Sequence, residues 1–222
     1  MSRLRVARDI GKVWEGISMP VYGWVSMSRQ EHPVRFDSAL ERDFYVLLDF
    51  QQTVALVEEK PVKIPYARPG GSLSHYTPCA LVRYEDRAQR RAMLCEIKSR
   101  QQLHRDWSRL RPKFKAAVHL CRQEGWIFKI YTEREICTEY LANVKFLRPL
   151  RFMAVDELKK ARIARFLNDR GEATLRDVLM CFCPQMYERG AWLSLIWHLI
   201  ATGCIEADLS RRLGYSSVLR WR

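Results

Sequence analysis

The stretch His75–Lys98 reads HYTPCALVRYEDRAQRRAMLCEIK, and its pattern decides what the chain can build. Tyr76 to Tyr84 mixes aromatic, β-branched and apolar residues, which predicts a strand. Glu85 and Asp86 open a polar connection, and Arg91 to Lys98 then alternates. Ala92, Leu94, Glu96 and Lys98 fall on one face, and Met93, Cys95 and Ile97 on the other, as a strand period of two requires. Glu96 and Lys98 therefore leave the same face of a strand otherwise apolar enough to be buried. A carboxylate and an ammonium held there are costly unless paired or ligated. A plain ion pair meets that condition, so the pair alone decides nothing.

The surroundings decide more. Upstream stand SALERDF at 38–44, an amphipathic helix start with Glu41 near its beginning, and EEKPVKIPY at 58–66, a strand bent at Lys60-Pro61. Downstream follow HYTPCALVRY at 75–84 and CEIKSR at 95–100. These four blocks, in this order and at this spacing, resemble the PD-(D/E)xK nuclease superfamily. More narrowly they resemble TnsA, the endonuclease subunit of heteromeric cut-and-paste transposases, and the correspondence continues to the C-terminus. One position departs: where that family has Asp, this chain has Cys79.

Composition is compatible with this. The 222 residues give room for one large domain or two small ones. A hydrophobic content of 48% supports a core, and 28% charged residues argue against disorder. The net charge of +13 favours a polyanionic partner, nucleic acid before an acidic membrane. No stretch approaches the roughly 20 apolar residues of a membrane span, and the N-terminus lacks the apolar centre of a signal peptide. Seven scattered cysteines read as a reducing compartment without a disulfide framework. Cys181-x-Cys183 has the wrong spacing for zinc.

Residues 1–36 read as a basic arm packed on the core, with Arg3 and Arg5 placed to follow a DNA backbone. Residues 37–147 read as the nuclease domain. Asp37 or Ser38 caps its first helix, and Glu41, three residues past Ser38, has the spacing of a capping box. Leu40, Phe44, Leu47 and Leu48 form the stripe that helix buries. Thr53–Glu58 and Val62–Tyr66 read as strands. After Lys98 comes a basic helix in which Arg100, Arg105, Arg109, Arg111, Lys113 and Lys115 face only Asp106. Leu103, Trp107, Leu110, Phe114, Ala117 and Cys121 recur on its packing side. Pro112 is expected to kink or restart it. Arg100, Arg105, Arg109 and Lys113 are the candidate DNA-backbone contacts. Gly125 ends the helix, Trp126–Tyr131 reads as a core strand, and Thr132 caps a helix running through Glu139 to Val144.

Phe146–Leu150 reads as a hinge, and residues 148–222 as a small winged-helix domain of three helices and a hairpin. Its third helix offers Trp192, Trp197 and His198 but one Arg, Arg189. Base readout relies on Arg, Lys, Asn and Gln, so this module is expected to contact protein rather than to read sequence. The fold class is thus α/β: a restriction-endonuclease-like mixed sheet flanked by helices, followed by a winged helix.

The resemblance implies the chemistry. Glu41, position 79 and Glu96 occupy the family's acidic metal positions, with the Ile97 carbonyl beside them, for Mg²⁺ or Mn²⁺. Lys98 occupies the position that handles the attacking water and the phosphate charge. The implied reaction is the 5′-side strand cut at transposon ends in double-stranded DNA. The implied partners are a TnsB-like transposase subunit and a TnsC-like ATPase regulator in the bacterial cytoplasm, on the nucleoid. Cys79 implies impaired cutting, since a thiol is soft and its ordinary pKa lies near 8.5. Two alternatives are a non-catalytic DNA-binding assembly subunit and an unrelated PD-(D/E)xK nuclease.

Overall fold

A computed structural model describes residues 21–68, 70–86, 89–183 and 189–222. Arg3, Arg5 and most of the N-terminal arm lie outside these residues. The arm's last part forms a two-stranded ribbon, β1 (Gly23–Val25) against β2 (Val34–Phe36), whose Val25, Val34 and Phe36 are buried.

Helix α1 (Ala39–Phe50) starts at Ser38, whose side chain accepts from the Glu41 N–H. Glu41 departs from the predicted capping box, because its carboxylate accepts from the Asp37 N–H, one residue before the cap (2.8 Å). Every residue from Asp43 to Phe50 is buried. The predicted stripe of four was too narrow, because this helix is enclosed by β1, β2, β3 and by later helices on its far side.

The central sheet has the order β3 (Val54–Glu59), β6 (Ala80–Tyr84), β7 (Met93–Ile97), β8 (Ile127–Tyr131). The first two pairings are antiparallel and β7–β8 is parallel, so the sheet is mixed. All of β7 is buried. Met93, Cys95 and Ile97 join the core on the α1 side, and Leu94 joins the core under α2, as the alternation predicts. Strand β8 is an edge strand, half-exposed where a core strand was expected. The predicted strand Tyr76–Tyr84 is interrupted at Thr77-Pro78-Cys79. Its first residue ends β5 (Leu73–Tyr76), which pairs with β4 (Ile64–Ala67) in a separate two-stranded ribbon. Pro78 has no N–H to give a ladder, which is a sufficient reason for the break.

Helix α2 (Arg100–Glu124) runs on through Pro112 without the restart that was one of the two expected effects. Packing of Leu110, Phe114, Ala117 and Cys121 on the sheet outweighs the lost hydrogen bond. Trp107, assigned to the packing side, is about half-exposed at 49%. Gly125 closes the helix in the left-handed region, at φ 70°. The single helix predicted after Thr132 is two, α3 (Glu133–Ile136) and α4 (Glu139–Leu147), each with its own threonine cap position.

A 3₁₀ turn, Arg148–Phe152, continues from α4. It is fastened to the end of α1: Arg148 Nε bonds Asp49 Oδ2 (2.7 Å), and Arg151 bonds the Asp49 and Phe50 carbonyls (2.9 and 2.8 Å). Beyond it lie α5 (Glu157–Arg170), β9 (Ala173–Thr174), α6 (Leu175–Phe182), α7 (Arg189–Ala201), β10 (Ile205–Glu206) and β11 (Val218–Trp221). The last three strands form a sheet in the order β10-β11-β9, so the expected hairpin gains a third strand. Trp192 is buried, Trp197 meets Phe146 edge-on, and buried His198 holds the Leu150 carbonyl through Nδ1 (2.8 Å). Two of these contacts lead back to residues 146–150, and Trp192 is enclosed. One apolar core runs from β7 and α1 through α4 to α7 and β11.

Candidate active site

Glu41, Cys79, Glu96, Ile97 and Lys98 all line one cleft of about 510 Å³ at the end of the central sheet, with Lys60, Asp37 and Tyr45. Topology explains the convergence. The antiparallel register puts Ala80 opposite Cys95, so Cys79 falls opposite Glu96. The N-terminus of α1 brings Glu41 in from the other side.

Glu96 is nearly sealed, with 3% of its surface exposed, and both oxygens are engaged. Oε2 accepts from the Tyr76 hydroxyl at 2.6 Å and Oε1 pairs with Lys98 Nζ at 3.0 Å. The alternative ion pair is therefore present, inside the cleft. Burial alone pulls the Lys98 ammonium down, but Glu96, with help from Cys79 and Glu41, leaves it above the ordinary lysine value. Lys98 is therefore a cation at neutral pH. Burial and the Glu96 carboxylate likewise push the Tyr76 hydroxyl far up, so it stays a donor.

Cys79 sits between the acids. Its Sγ lies 3.8 Å from Glu41 Oε1 and accepts from the Ile97 N–H at 3.4 Å. Its carbonyl accepts from Lys60 N–H (3.0 Å) and Tyr45 OH (3.4 Å). Burial first, then the Glu96 and Glu41 carboxylates, push the thiol well up, with Lys98 opposing. Sequence reasoning missed Tyr76, Tyr45 and Lys60. Their roles depend on the break at 77–79, which turns β5 away and brings Tyr76 over Glu96. Lys60 adopts φ 46°, an uncommon value for a side-chain-bearing residue, and its Nζ pairs with Asp37 at 2.7 Å.

The metal that the sequence resemblance implies is poorly matched by these residues. Among the described residues no group of three or more His, Cys, Asp or Glu side chains is gathered to hold an ion. A hard divalent cation takes oxygen ligands. Here the middle donor is a thiol kept protonated, and Glu96 is already satisfied by Tyr76 and Lys98. The set as it stands does not fit Mg²⁺.

The predicted DNA contacts divide. Arg100, Arg105 and Arg109 are exposed on α2, which begins two residues after Lys98. Asp106 pairs with Arg105 (3.0 Å) and Arg109 (3.4 Å). Lys113 instead turns toward the β4–β5 ribbon, over the rings of Tyr66 and Tyr76. No helix among the described residues is long and apolar enough to cross a membrane.

Residues 51–133 match the family described as TnsA-like endonuclease N terminal, and residues 135–209 match TnsA endonuclease C terminal. No curated protein matches the chain.

Proposed function

Since this chain belongs to the TnsA endonuclease family of DNA transposition, we propose that it is the transposon-end subunit charged with the 5′-side strand, and that Cys79 leaves it cutting weakly. The family acts on DNA beside transposase partners. For this chain the reading adds a TnsB-like transposase, a TnsC-like ATPase and a place on the bacterial nucleoid. The observation that carries it is the gathering of Glu41, Cys79, Glu96 and Lys98 in one cleft at the head of the basic helix α2.

The chain's own residues suit a phosphodiester. Lys98 is a cation at the cleft wall and offers charge to a phosphate as negative charge develops on it. Glu96 fixes where that ammonium stands, and Tyr76 fixes Glu96. Arg100, Arg105 and Arg109 extend positive charge from the cleft along α2, as backbone binding needs. The Asp-to-Cys change removes the charged oxygen donor that Mg²⁺ would need. Losing one carboxylate about 4 Å from an ion removes roughly 4 kcal/mol at an effective dielectric of 20.

We read α5 to β11 as a winged helix that meets protein partners through surfaces other than Trp192 and His198. A second reading is favoured by the protonated thiol: a subunit that binds DNA and bridges partners without cutting. Plasmid nicking with the partner transposase separates them. Weak cutting that Lys98→Ala abolishes supports the first, and none with assembly intact supports the second.

A further inference from the structure

We propose that the β4–β5 ribbon lies in a groove of the DNA beside the cleft, a contact that rests on the DNA-binding reading above. Among the described residues its two strands form a ladder with each other and with no other strand, in the register Ile64–Tyr76, Pro65–His75, Tyr66–Ser74 and Ala67–Leu73. The pleat sorts them. Ile64, Tyr66, Ser74 and Tyr76 turn inward, where Tyr76 meets Phe114 of α2, and Pro65, Ala67, Leu73 and His75 stand outward and exposed. Lys63 and Arg68 are exposed at its base and tip. From Lys60 to Tyr84 the sequence contains no Asp or Glu, so no carboxylate of the ribbon itself offsets Lys63 and Arg68. A ribbon that carries cations and no carboxylate of its own matches a polyanion. A two-stranded β-ribbon also has the cross-section that the major groove admits.

The tip is built to be narrow. Gly70 (φ 99°) and Gly71 (φ 86°) lie in the left-handed region with open space around them, and the turn is closed by Gly71 N–H to the Arg68 carbonyl at 2.9 Å. Leu73 beside it is 83% exposed. The base is fixed, because Tyr76 bonds the site carboxylate directly. Three residues at about 3.3 Å each put Leu73 about 10 Å from Tyr76. That is about three base pairs from the cleft at 3.4 Å per pair. The ribbon would thus set which base pairs lie next to the reacting phosphate.

The test is photocrosslinking of the full chain to a duplex of arbitrary sequence at low salt. Leu73→p-benzoylphenylalanine probes the ribbon, Ser108→p-benzoylphenylalanine the basic helix, and Leu158→p-benzoylphenylalanine an exposed site elsewhere, 81% exposed. All three replace exposed side chains, so folding is not at issue. The expected result is crosslinking from 73 and 108 but not 158, with the 73 adduct lost when Lys63→Ala and Arg68→Ala are added. Crosslinking from 108 alone overturns the ribbon contact and leaves the DNA reading standing. Silence at both 73 and 108 overturns both. Equal yields from all three positions also overturn the ribbon contact, since the adducts would then be non-specific.

Discussion

The hydroxyl of Tyr76 donates to Glu96 at 2.6 Å, across the break that separates β5 from β6. A residue of the outlying ribbon thereby holds the most buried carboxylate of the cleft. Tyr76→Phe keeps the ring on Phe114 and removes only the donor. It leaves a buried carboxylate oxygen unsatisfied, at a cost of about 1–3 kcal/mol. Urea denaturation is expected to show that loss, and Leu73→Ser on the same strand is expected to show almost none.

Asp49 is the second buried carboxylate that organises the molecule. Ser28, Arg148 and Arg151 all donate to it. Burial pushes its carboxyl up, but Arg148 and Ser28 outweigh that and hold it below the usual range. A depressed folded pKa contributes stability that is complete above the unfolded value of about 3.9 and is lost as pH falls through the folded value. Asp49→Ala strands two arginines and is expected to cost about 3–5 kcal/mol at pH 7. The gap from the parent protein should narrow in acid. A gap that stays constant down to the acid transition would show that the ion pairs contribute nothing.

How much of this was legible depends on whether the signal was local. The alternation Met93–Lys98 fixed both faces of β7, because a period of two belongs to the strand itself. Ser38 and Gly125 marked their helix ends for the same reason. What stayed hidden depends on distant partners. Nothing near Asp49 announces Arg148, ninety-nine residues away. Trp107 kept the helical spacing of its neighbours yet stays half-exposed beside Phe114. Tyr76 read as one more strand residue, and only the break at Pro78 gives it Glu96. For the cleft, the residue types were legible, whereas the protonation of Cys79 follows from burial that no local pattern encodes.

Binding to duplex DNA is expected to weaken steeply with salt, since each phosphate neutralised contributes about 0.9 to the slope of log K against log salt. Arg105→Ala with Arg109→Ala should flatten that slope by about 2, with little change in sequence preference. The two arginines share Asp106, so Asp106→Asn should tighten binding by freeing both. An unchanged slope in the double variant would remove α2 from the DNA path.

Thiol reactivity reports on the cleft without any need for cutting. Thiolate is the reactive form, and Cys79 is held protonated by burial and by Glu96. Cys137 and Cys181 are exposed. With iodoacetamide near pH 8 these two should alkylate first, and Cys79 at least about tenfold more slowly. Peptide mass spectrometry over time reads this directly. Glu96→Gln should speed Cys79, because it removes the carboxylate that opposes the thiolate most.

The exchange Cys79→Asp probes the one position at odds with its surroundings. An Asp here would stand where Sγ now lies, between Glu41 and the Ile97 N–H. Three carboxylates would then converge on one cleft, and their mutual repulsion, offset in part by Lys98 beside Glu96, favours a divalent cation. Two outcomes are therefore expected together. In the absence of metal the variant should be less stable than the parent, by about 1–2 kcal/mol for the crowded charge. With Mg²⁺ its melting temperature should rise, and the parent's should not, as binding to the folded state alone requires. Strand cutting with the partner transposase should rise in parallel and vanish again in Cys79→Asp with Lys98→Ala. Mg²⁺ stabilisation without cutting would leave Glu41, Asp and Glu96 as a metal site and make the bridging role the better account. No Mg²⁺ response at all would mean that the cleft, however it is charged, is not where this chain acts on DNA.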